Sequence, residues 1–143
     1  MTRNDIVELI DRWQTTLDRR DAGGYSHLYA DTAVLDSPLG GVVSGPDGVR
    51  KAFEAFFNAF PDAAFTFEDP CIDGHRVVIV SSIAGTHVGG GFSGLPASGK
   101  PFRFPLVFLL EMRDGRIVRD RRIYDFTGLL VQIGMVKAKV KDH

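Results

Sequence analysis

The hydrophobic residues of this chain change their spacing at Pro61, and that change limits the folds the chain can adopt. Before Pro61 they recur at helical spacing, and after it they alternate between two faces as in strands. Asp73-Gly74 and Asp114-Gly115 are typical turn sequences, so the strands on either side of each are predicted to pair as antiparallel neighbours. This order predicts an α+β fold. Three N-terminal helices pack on a strongly curved, mostly antiparallel sheet, with a cavity at its open end and a short C-terminal helix.

Three segments carry the helical spacing. The first holds Trp13 on its apolar stripe, with Asn4 as the predicted N-cap. A short second helix follows Gly23-Gly24, and the third begins at Gly45-Pro46, where proline is tolerated in the first turn. The third has a wide face of phenylalanines, which are core residues in most packed helices and line a pocket in some. The residues that set the spacing are Ile6, Leu9, Ile10, Trp13 and Leu17 in the first helix, and Val49, Ala52, Phe53, Phe56, Phe57 and Phe60 in the third.

The remaining chain is predicted to form strands and one loop. The strands cover residues 33–36, the alternating pair Phe65 and Phe67, residues 76–87, Pro101–Arg113, and a last segment that ends at Asp125. The glycine-rich stretch 89–99 is predicted to be the loop. Because the strands carry apolar residues on both faces and the helices can cover only one, the outer face is predicted to form a homodimer.

Composition excludes several classes of protein. With 143 residues, of which 44% are hydrophobic, the chain fits one domain spanning residues 1–143. The 17 Lys and Arg are balanced by 18 Asp and Glu, which argues against nucleic acid as a partner. No apolar run is long enough for a membrane span or a signal peptide, so we expect a cytoplasmic protein without a membrane partner. Cys71 is the single cysteine, and the histidines lack metal-ligand spacing, so no metal is expected.

Asp125 stands between the last predicted strand and the last predicted helix, and two interpretations of it are open. Strict alternation places it on one strand face with Ile117, Arg119, Arg121 and Ile123. If that face lines a cavity, desolvation would favour the protonated carboxyl and suit it to proton transfer. Alternatively, the side chain is the N-cap of the helix that begins before Leu129.

Three motifs carry a resemblance to a known family. They are Phe57-Asn58-Ala59-Phe60-Pro61-Asp62, then Gly85-Thr86-His87 followed by Phe92-Ser93-Gly94-Leu95-Pro96, and Asp125 seven residues before Gln132-Ile133-Gly134. With them the chain resembles the nuclear-transport-factor-2-like superfamily, and within it the SnoaL-like polyketide cyclases, over nearly its whole length. The resemblance implies that Asp125 is the general acid/base of an intramolecular aldol closure without metal or cofactor. It also implies a homodimer.

A second resemblance, to the ketosteroid isomerases, fails at the chemistry. Their segment from the first helix to the aspartate-proline turn lines up with residues 12–38, but their oxyanion-binding tyrosine falls on Trp13 and their base aspartate on Ser37. Steroid isomerisation is therefore not expected. Asp36 is offset by one residue, which on a strand turns its side chain to the opposite face.

The predicted function is that of a cofactor-independent enzyme of the cyclase or isomerase type, which moves a proton on a hydrophobic carbonyl compound. The alternatives are a non-catalytic binding module for a hydrophobic small ligand and a protein-interaction domain. Arg121 stands where the cyclases usually have a large aromatic residue, and it either meets a ligand oxygen or is solvated. His87 either transfers protons or stabilises a turn. The substrate-binding candidates are Trp13, Tyr29, Asp36, Phe57, Phe60, His87 and Arg121.

Overall fold

The computed structural model describes residues 1–89 and 96–137, and it has the predicted α+β architecture. Most of the predicted glycine-rich loop, residues 90–95, lies outside the described residues. Two short strands, Gly41–Ser44 and Cys71–Asp73, were not predicted, because neither has an alternating aromatic pair like that of Phe65 and Phe67. The elements are α1 (Arg3–Asp18), α2 (Ala22–His27), β1 (Tyr29–Ser37), β2 (Gly41–Ser44), α3 (Gly45–Ala59), β3 (Ala64–Phe67), β4 (Cys71–Asp73), β5 (Arg76–Thr86), β6 (Pro101–Arg113), β7 (Arg116–Tyr124) and α4 (Phe126–Gln132).

The strands form one curved, unclosed sheet in the order β2-β1-β7-β6-β5-β3, and β4 also pairs with β5. The pairing of β1 with β7 is parallel, and the other strand pairs are antiparallel. None of the helices in the described parts of the chain combines the length and the apolar character needed to cross a membrane.

The first helix begins earlier than predicted. Thr2 is its N-cap: the Asp5 amide donates to the Thr2 hydroxyl at 3.1 Å, and the Thr2 amide donates to the Asp5 carboxylate at 2.7 Å. This reciprocal pair is a capping box in which aspartate takes the usual place of glutamate. The prediction of Asn4 as the cap was therefore wrong, because Asn4 already lies within the first turn.

The helices cover the inner face of the sheet. Even-numbered residues of β6 are buried there, and the ring of Trp13 on α1 meets that of Phe108 at 4.8 Å between centroids. The outer face is partly apolar, because Val80, Val107 and Ile123 lie side by side across β5, β6 and β7. On β6 the buried residues are Phe102, Phe104, Leu106, Phe108, Leu110 and Met112.

A bulge in β7 decides which of its side chains point inward. Ile117 pairs with Met112, but Arg119 pairs with Glu111, so Val118 is an extra residue in β7. One extra residue reverses the alternation beyond it. The predicted face that groups Ile117 with Arg119, Arg121, Ile123 and Asp125 is therefore wrong. Beyond the bulge the inward residues are Asp120, Arg122 and Tyr124, and the outward ones are Arg119, Arg121 and Ile123.

The last helix covers a stretch of β6 that β7 does not reach. Pairing between the two strands begins at Leu106 and Tyr124, so the preceding residues of β6 extend past the end of β7. There the Gln132 side chain accepts from the Arg103 amide at 2.7 Å and donates to the Arg103 carbonyl at 3.0 Å. A side-chain amide thus makes the two hydrogen bonds that a neighbouring strand would make.

Candidate active site

A cavity of about 230 Å³ lies between α3 and the inner face of the sheet. Hydrocarbon dominates its described lining, in which Ser37, Arg122 and Tyr124 are the polar side chains. The other residues that line it are Leu17, Leu35, Leu39, Gly40, Ala52, Phe53, Ala55, Phe56, Phe57, Ala59, Phe65, Ile83, Phe104 and Leu106.

Aromatic rings form both walls of the cavity. On α3, Phe53, Phe56 and Phe57 fall three and four residues apart and so share a helix face. Their rings pack against each other, with 4.8 Å between the centroids of Phe53 and Phe57 and 5.2 Å between those of Phe56 and Phe57. On the sheet, the rings of Phe104 and Tyr124 stack with 5.1 Å between centroids and 27° between planes.

Arg122 brings a cation to this apolar lining. Its Nε donates to Asp120 at 3.3 Å, and its Nη2 donates to Asp120 at 3.1 Å and to the Tyr25 hydroxyl at 2.7 Å. Its guanidinium carbon lies 5.1 Å from the centroid of the Phe108 ring. Nη1 is the guanidinium nitrogen for which the described residues provide no acceptor. Arg122 thus retains two N–H donors for a molecule in the cavity.

A buried network holds the Arg122 guanidinium in place. Asp120 is fully buried and accepts from Tyr29 as well as from Arg122. Trp13 Nε1 donates to the Tyr29 hydroxyl at 3.1 Å, and the hydroxyls of Tyr29 and Tyr25 are 3.0 Å apart. Because the carboxylate is the strongest acceptor, the Tyr29 proton goes to Asp120 and Tyr25 donates to Tyr29. The network therefore has one positive and one negative charge, and its hydrogen bonds fix the rotamer of Arg122.

Burial keeps the tyrosines of the site neutral. Desolvation raises the pKa of Tyr25 to about 12, although the Arg122 charge acts against it. Burial, reinforced by the Asp120 charge, raises the pKa of Tyr29 well above its ordinary value. Burial by itself would lower the pKa of Arg122, but the charge of Asp120 raises it well above its ordinary value. Arg122 therefore remains a cation, and the tyrosines remain hydroxyl donors at physiological pH.

Tyr124 is the second polar group of the lining at the sheet wall. It is the next inward residue after Arg122, and its hydroxyl accepts from the Leu39 amide at 3.0 Å. Leu39 and Gly40 belong to the turn between β1 and β2 and also line the cavity. Desolvation raises the pKa of Tyr124, so its hydroxyl keeps a proton that it can donate.

Comparison with known proteins identifies the family. A family model described as SnoaL-like polyketide cyclase matches residues 7–133. The chain belongs to the SnoaL-like polyketide cyclase family. The resemblance predicted from the sequence motifs is thereby confirmed. In sequence, no curated protein matches the chain.

Solved structures of similar proteins share the fold of this SnoaL-like chain. TsrD from Streptomyces laurentii is 24% identical, with a TM-score of 0.80, and the match covers 95% of this chain and 99% of TsrD. AclR from Streptomyces galilaeus, for which a hydroxylase function has been suggested, is 25% identical, with a TM-score of 0.80 and coverage of 98% and 87%. IdmH from Streptomyces antibioticus, for which a polyketide cyclase function has been suggested, is 26% identical, with a TM-score of 0.74 and coverage of 90% and 97%.

Asp125, the catalytic candidate in this SnoaL-like chain, lies at the end of β7 and is exposed. Its carboxylate accepts from the Gly128 amide at 2.8 Å and is the N-cap of α4. The expectation of a desolvated carboxyl on a cavity face with Ile117 and Ile123 was wrong, because the bulge reverses the alternation after Ile117 and leaves Asp125 in solvent. A catalytic role for Asp125 stays a prediction, and the cap geometry supports the structural alternative.

The substrate-binding candidates fall into four places, of which the contact between Phe60 and His87 is the last. Trp13 and Tyr29 belong to the buried network, and Phe57 lines the cavity. Asp36 and Arg121 are paired in register on the outer face, where both are exposed. The expectation that Arg121 shares a cavity-facing side with Asp125 was wrong for the same reason, the bulge at Val118.

Phe60 and His87 form a separate buried contact, with 5.6 Å between their ring centroids. His87 Nδ1 lies 3.1 Å from the Ser98 hydroxyl and accepts from the Ser98 amide at 3.2 Å. These bonds fit the predicted turn-stabilising role, because they join the end of β5 to the segment before β6.

Sequence reasoning missed Tyr25, Asp120, Arg122 and Tyr124 as site residues. One signal for them was present: Asp120 and Arg122 are opposite charges two residues apart, with Tyr124 next in the same alternation. Strict alternation places these three residues on the strand face opposite Asp125, so they were not predicted to belong to the site.

Proposed function

We propose that this protein is a cofactor-independent enzyme of the SnoaL-like cyclase type, which binds a hydrophobic carbonyl compound in the cavity and promotes its ring closure. The observation that carries the proposal is the Arg122 guanidinium, which lines a mostly apolar cavity while the described residues leave Nη1 without an acceptor. A preorganised donor in a water-poor site stabilises negative charge that develops on an oxygen.

Charge accounting favours a neutral carbonyl over a preformed anion as the bound species. Arg122 and Asp120 together carry no net charge, so a full anion beside them would leave one uncompensated buried charge. A carbonyl oxygen gains its negative charge only as the new bond forms. The interaction with Arg122 is therefore stronger in the transition state than in the bound substrate, which is the condition for catalysis.

The proposed step is an intramolecular aldol closure. The enol carbon of the substrate forms a C–C bond to the carbonyl carbon, and the electron pair of the C=O bond moves to the oxygen held by Arg122. The Tyr124 hydroxyl donates its proton to that oxygen, and the enol hydroxyl, which becomes a carbonyl, returns a proton to Tyr124. Desolvation raises the pKa of Tyr124, so its hydroxyl is protonated at physiological pH and can give its proton to the alkoxide, which is a much stronger base.

Two variants test the site with little risk to the fold. Arg122→Lys keeps a cation beside Asp120 but removes Nη1, and Tyr124→Phe removes only the hydroxyl. The assay substrates are enolisable linear aryl diketones, of which 1-phenylhexane-1,5-dione is a simple one. Its closure followed by loss of water gives 3-phenylcyclohex-2-enone, which has a measurable ultraviolet absorbance. We expect Arg122→Lys to lower the rate about 10²- to 10³-fold, as for the loss of an oxyanion donor. Full activity in both folded variants would contradict the proposal.

A non-catalytic binding module is the second candidate. One observation favours it: no carboxylate or imidazole appears among the described residues that line the cavity. Such groups are the usual acids and bases near neutral pH. Saturable binding of the same diketones without closure, in both the wild-type protein and Tyr124→Phe, would select this alternative.

A further inference from the structure

We propose that this cavity takes a carbonyl compound that, once its ring has closed, is compact and planar, has two rings and carries its oxygens along one edge. This assignment of substrate class rests on the function proposed above. Three properties of the cavity lead to it: its volume, the shape set by its aromatic walls, and the placement of its polar side chains.

The volume limits the number of rings. The cavity holds about 230 Å³, whereas a cavity of about 150 Å³ lined by Leu, Ile and Phe accommodates one benzene. The ratio is roughly one and a half, which corresponds to two fused rings that share an edge. Cavities that enclose larger, drug-sized ligands measure about 300–1,000 Å³. A closed compound with three rings would therefore require the walls to move.

The walls resist that movement because Phe53 and Phe104 each pack against further aromatic rings. Phe53 packs against Tyr25 at 4.8 Å between centroids, and Tyr25 itself belongs to the buried network. On the opposite wall, Phe104 stacks on Tyr124 at 5.1 Å and on Phe102 at 5.7 Å. Displacing one ring would disturb its supporting neighbours, and close-packed interiors oppose such displacement.

The same walls select a planar substrate. The space lies between the phenylalanines of α3 and the stacked pair Phe104 and Tyr124, so rings face it from both sides. Offset stacking and edge contacts with these rings favour a flat unsaturated molecule over a globular one.

The polar side chains define one edge of the substrate. Arg122 and Tyr124 are consecutive inward residues of one strand, with Cα atoms roughly 7 Å apart. Ser37, the third polar residue of the lining, belongs to β1 at the turn that Tyr124 contacts through Leu39. The α3 wall offers hydrocarbon alone. A substrate fits when its carbonyl and enol oxygens share the edge that faces β7 and its remaining edges are apolar.

A matched series of neutral lactones tests the ring number. 2-Pyranone has one ring, coumarin has two, and the linear benzo-fused homologue of coumarin has three, while the lactone edge that carries the oxygens stays the same. Binding to the wild-type protein is measured by isothermal titration calorimetry. We expect the two-ring lactone to bind about tenfold or more tightly than either neighbour, because unfilled space and overpacking both weaken binding. Phe57→Ala enlarges the cavity and should move the preference to the three-ring lactone.

The outcomes separate this inference from the proposed function. Tightest binding of the three-ring lactone to the wild-type protein would overturn the size assignment, and so would an unchanged preference in Phe57→Ala. If that binding still weakens in Arg122→Lys, the proposed site stands. Equal affinity of wild type and Arg122→Lys for all three lactones would instead overturn the role of Arg122. Failure of all three to bind would overturn the substrate class, and the diketone closure assay would then decide the function independently.

Discussion

Substitutions at Asp125 distinguish a helix cap from a catalytic acid. The carboxylate makes one hydrogen bond, to the Gly128 amide at 2.8 Å, and is exposed to solvent. Asn can replace it at an N-cap almost without cost, whereas Ala loses about 1 kcal/mol. We therefore expect Asp125→Asn to match the wild type in both stability and turnover. Asp125→Ala should unfold about 1 kcal/mol more easily, which lowers the melting temperature by about 4 °C, while the folded protein keeps its turnover.

The catalytic alternative predicts the opposite pattern. A general acid/base contributes about 10²- to 10⁴-fold to the rate, and Asn cannot cycle a proton, so Asp125→Asn would lose that factor with its stability unchanged. Urea unfolding followed by circular dichroism gives the stability, and the diketone closure assay gives the turnover. A loss of a hundredfold or more in folded Asp125→Asn would refute the assignment of Asp125 as a cap alone, because the cap geometry leaves no reason for such a loss.

Two further predictions concern the network and the outer face. Because burial raises the pKa of Tyr25 from 10.0 to about 12, its ionisation opposes the folded state: its contribution to stability is complete below about pH 10 and is lost as the pH rises through about 12. Urea melts across this pH range should show that the free energy of unfolding falls less in Tyr25→Phe than in the wild type. An identical fall in the two proteins would contradict the assignment. For the proposed homodimer, Ile123→Glu, which adds charge to the partly apolar outer face beside Val107, should shift the sedimentation of a wild-type dimer to that of a monomer. A wild-type monomer at micromolar concentration would refute the interface.

Local patterns predicted the helices and the long strands well. The helical spacing that contains Phe53, Phe56 and Phe57 placed α3, because a packed helix must present one apolar face. The limits 101–113 of the long predicted strand agree with β6, because its alternation is regular. The family motifs also carried enough information to identify the fold.

The candidate site could not be predicted because it depends on one bulged residue. Nothing at Val118 distinguishes it from an ordinary strand residue, since valine suits a strand as well as a bulge. The bulge is visible in the pairing of β6 with β7, and pairing between two segments leaves no pattern in the sequence of either segment. Without it, strict alternation directs Arg122 to the wrong face, and no argument from residue type corrects this.

The two hydrogen bonds between the Gln132 side chain and the Arg103 backbone let the last helix cover an open edge of β6. Where β7 ends, the exposed backbone of β6 would be an open template for a strand of another molecule, which is how edge-to-edge aggregation starts. The Gln132 side-chain amide already bonds the Arg103 N–H and C=O groups, which a strand of another molecule would need for pairing. Asp125 caps the helix that carries this amide, so a change at Asp125 is expected to loosen this cover as well as the helix. On this stretch of β6, the two backbone groups of Arg103 that would pair with such a strand are bonded by one side chain, placed seven residues after the cap.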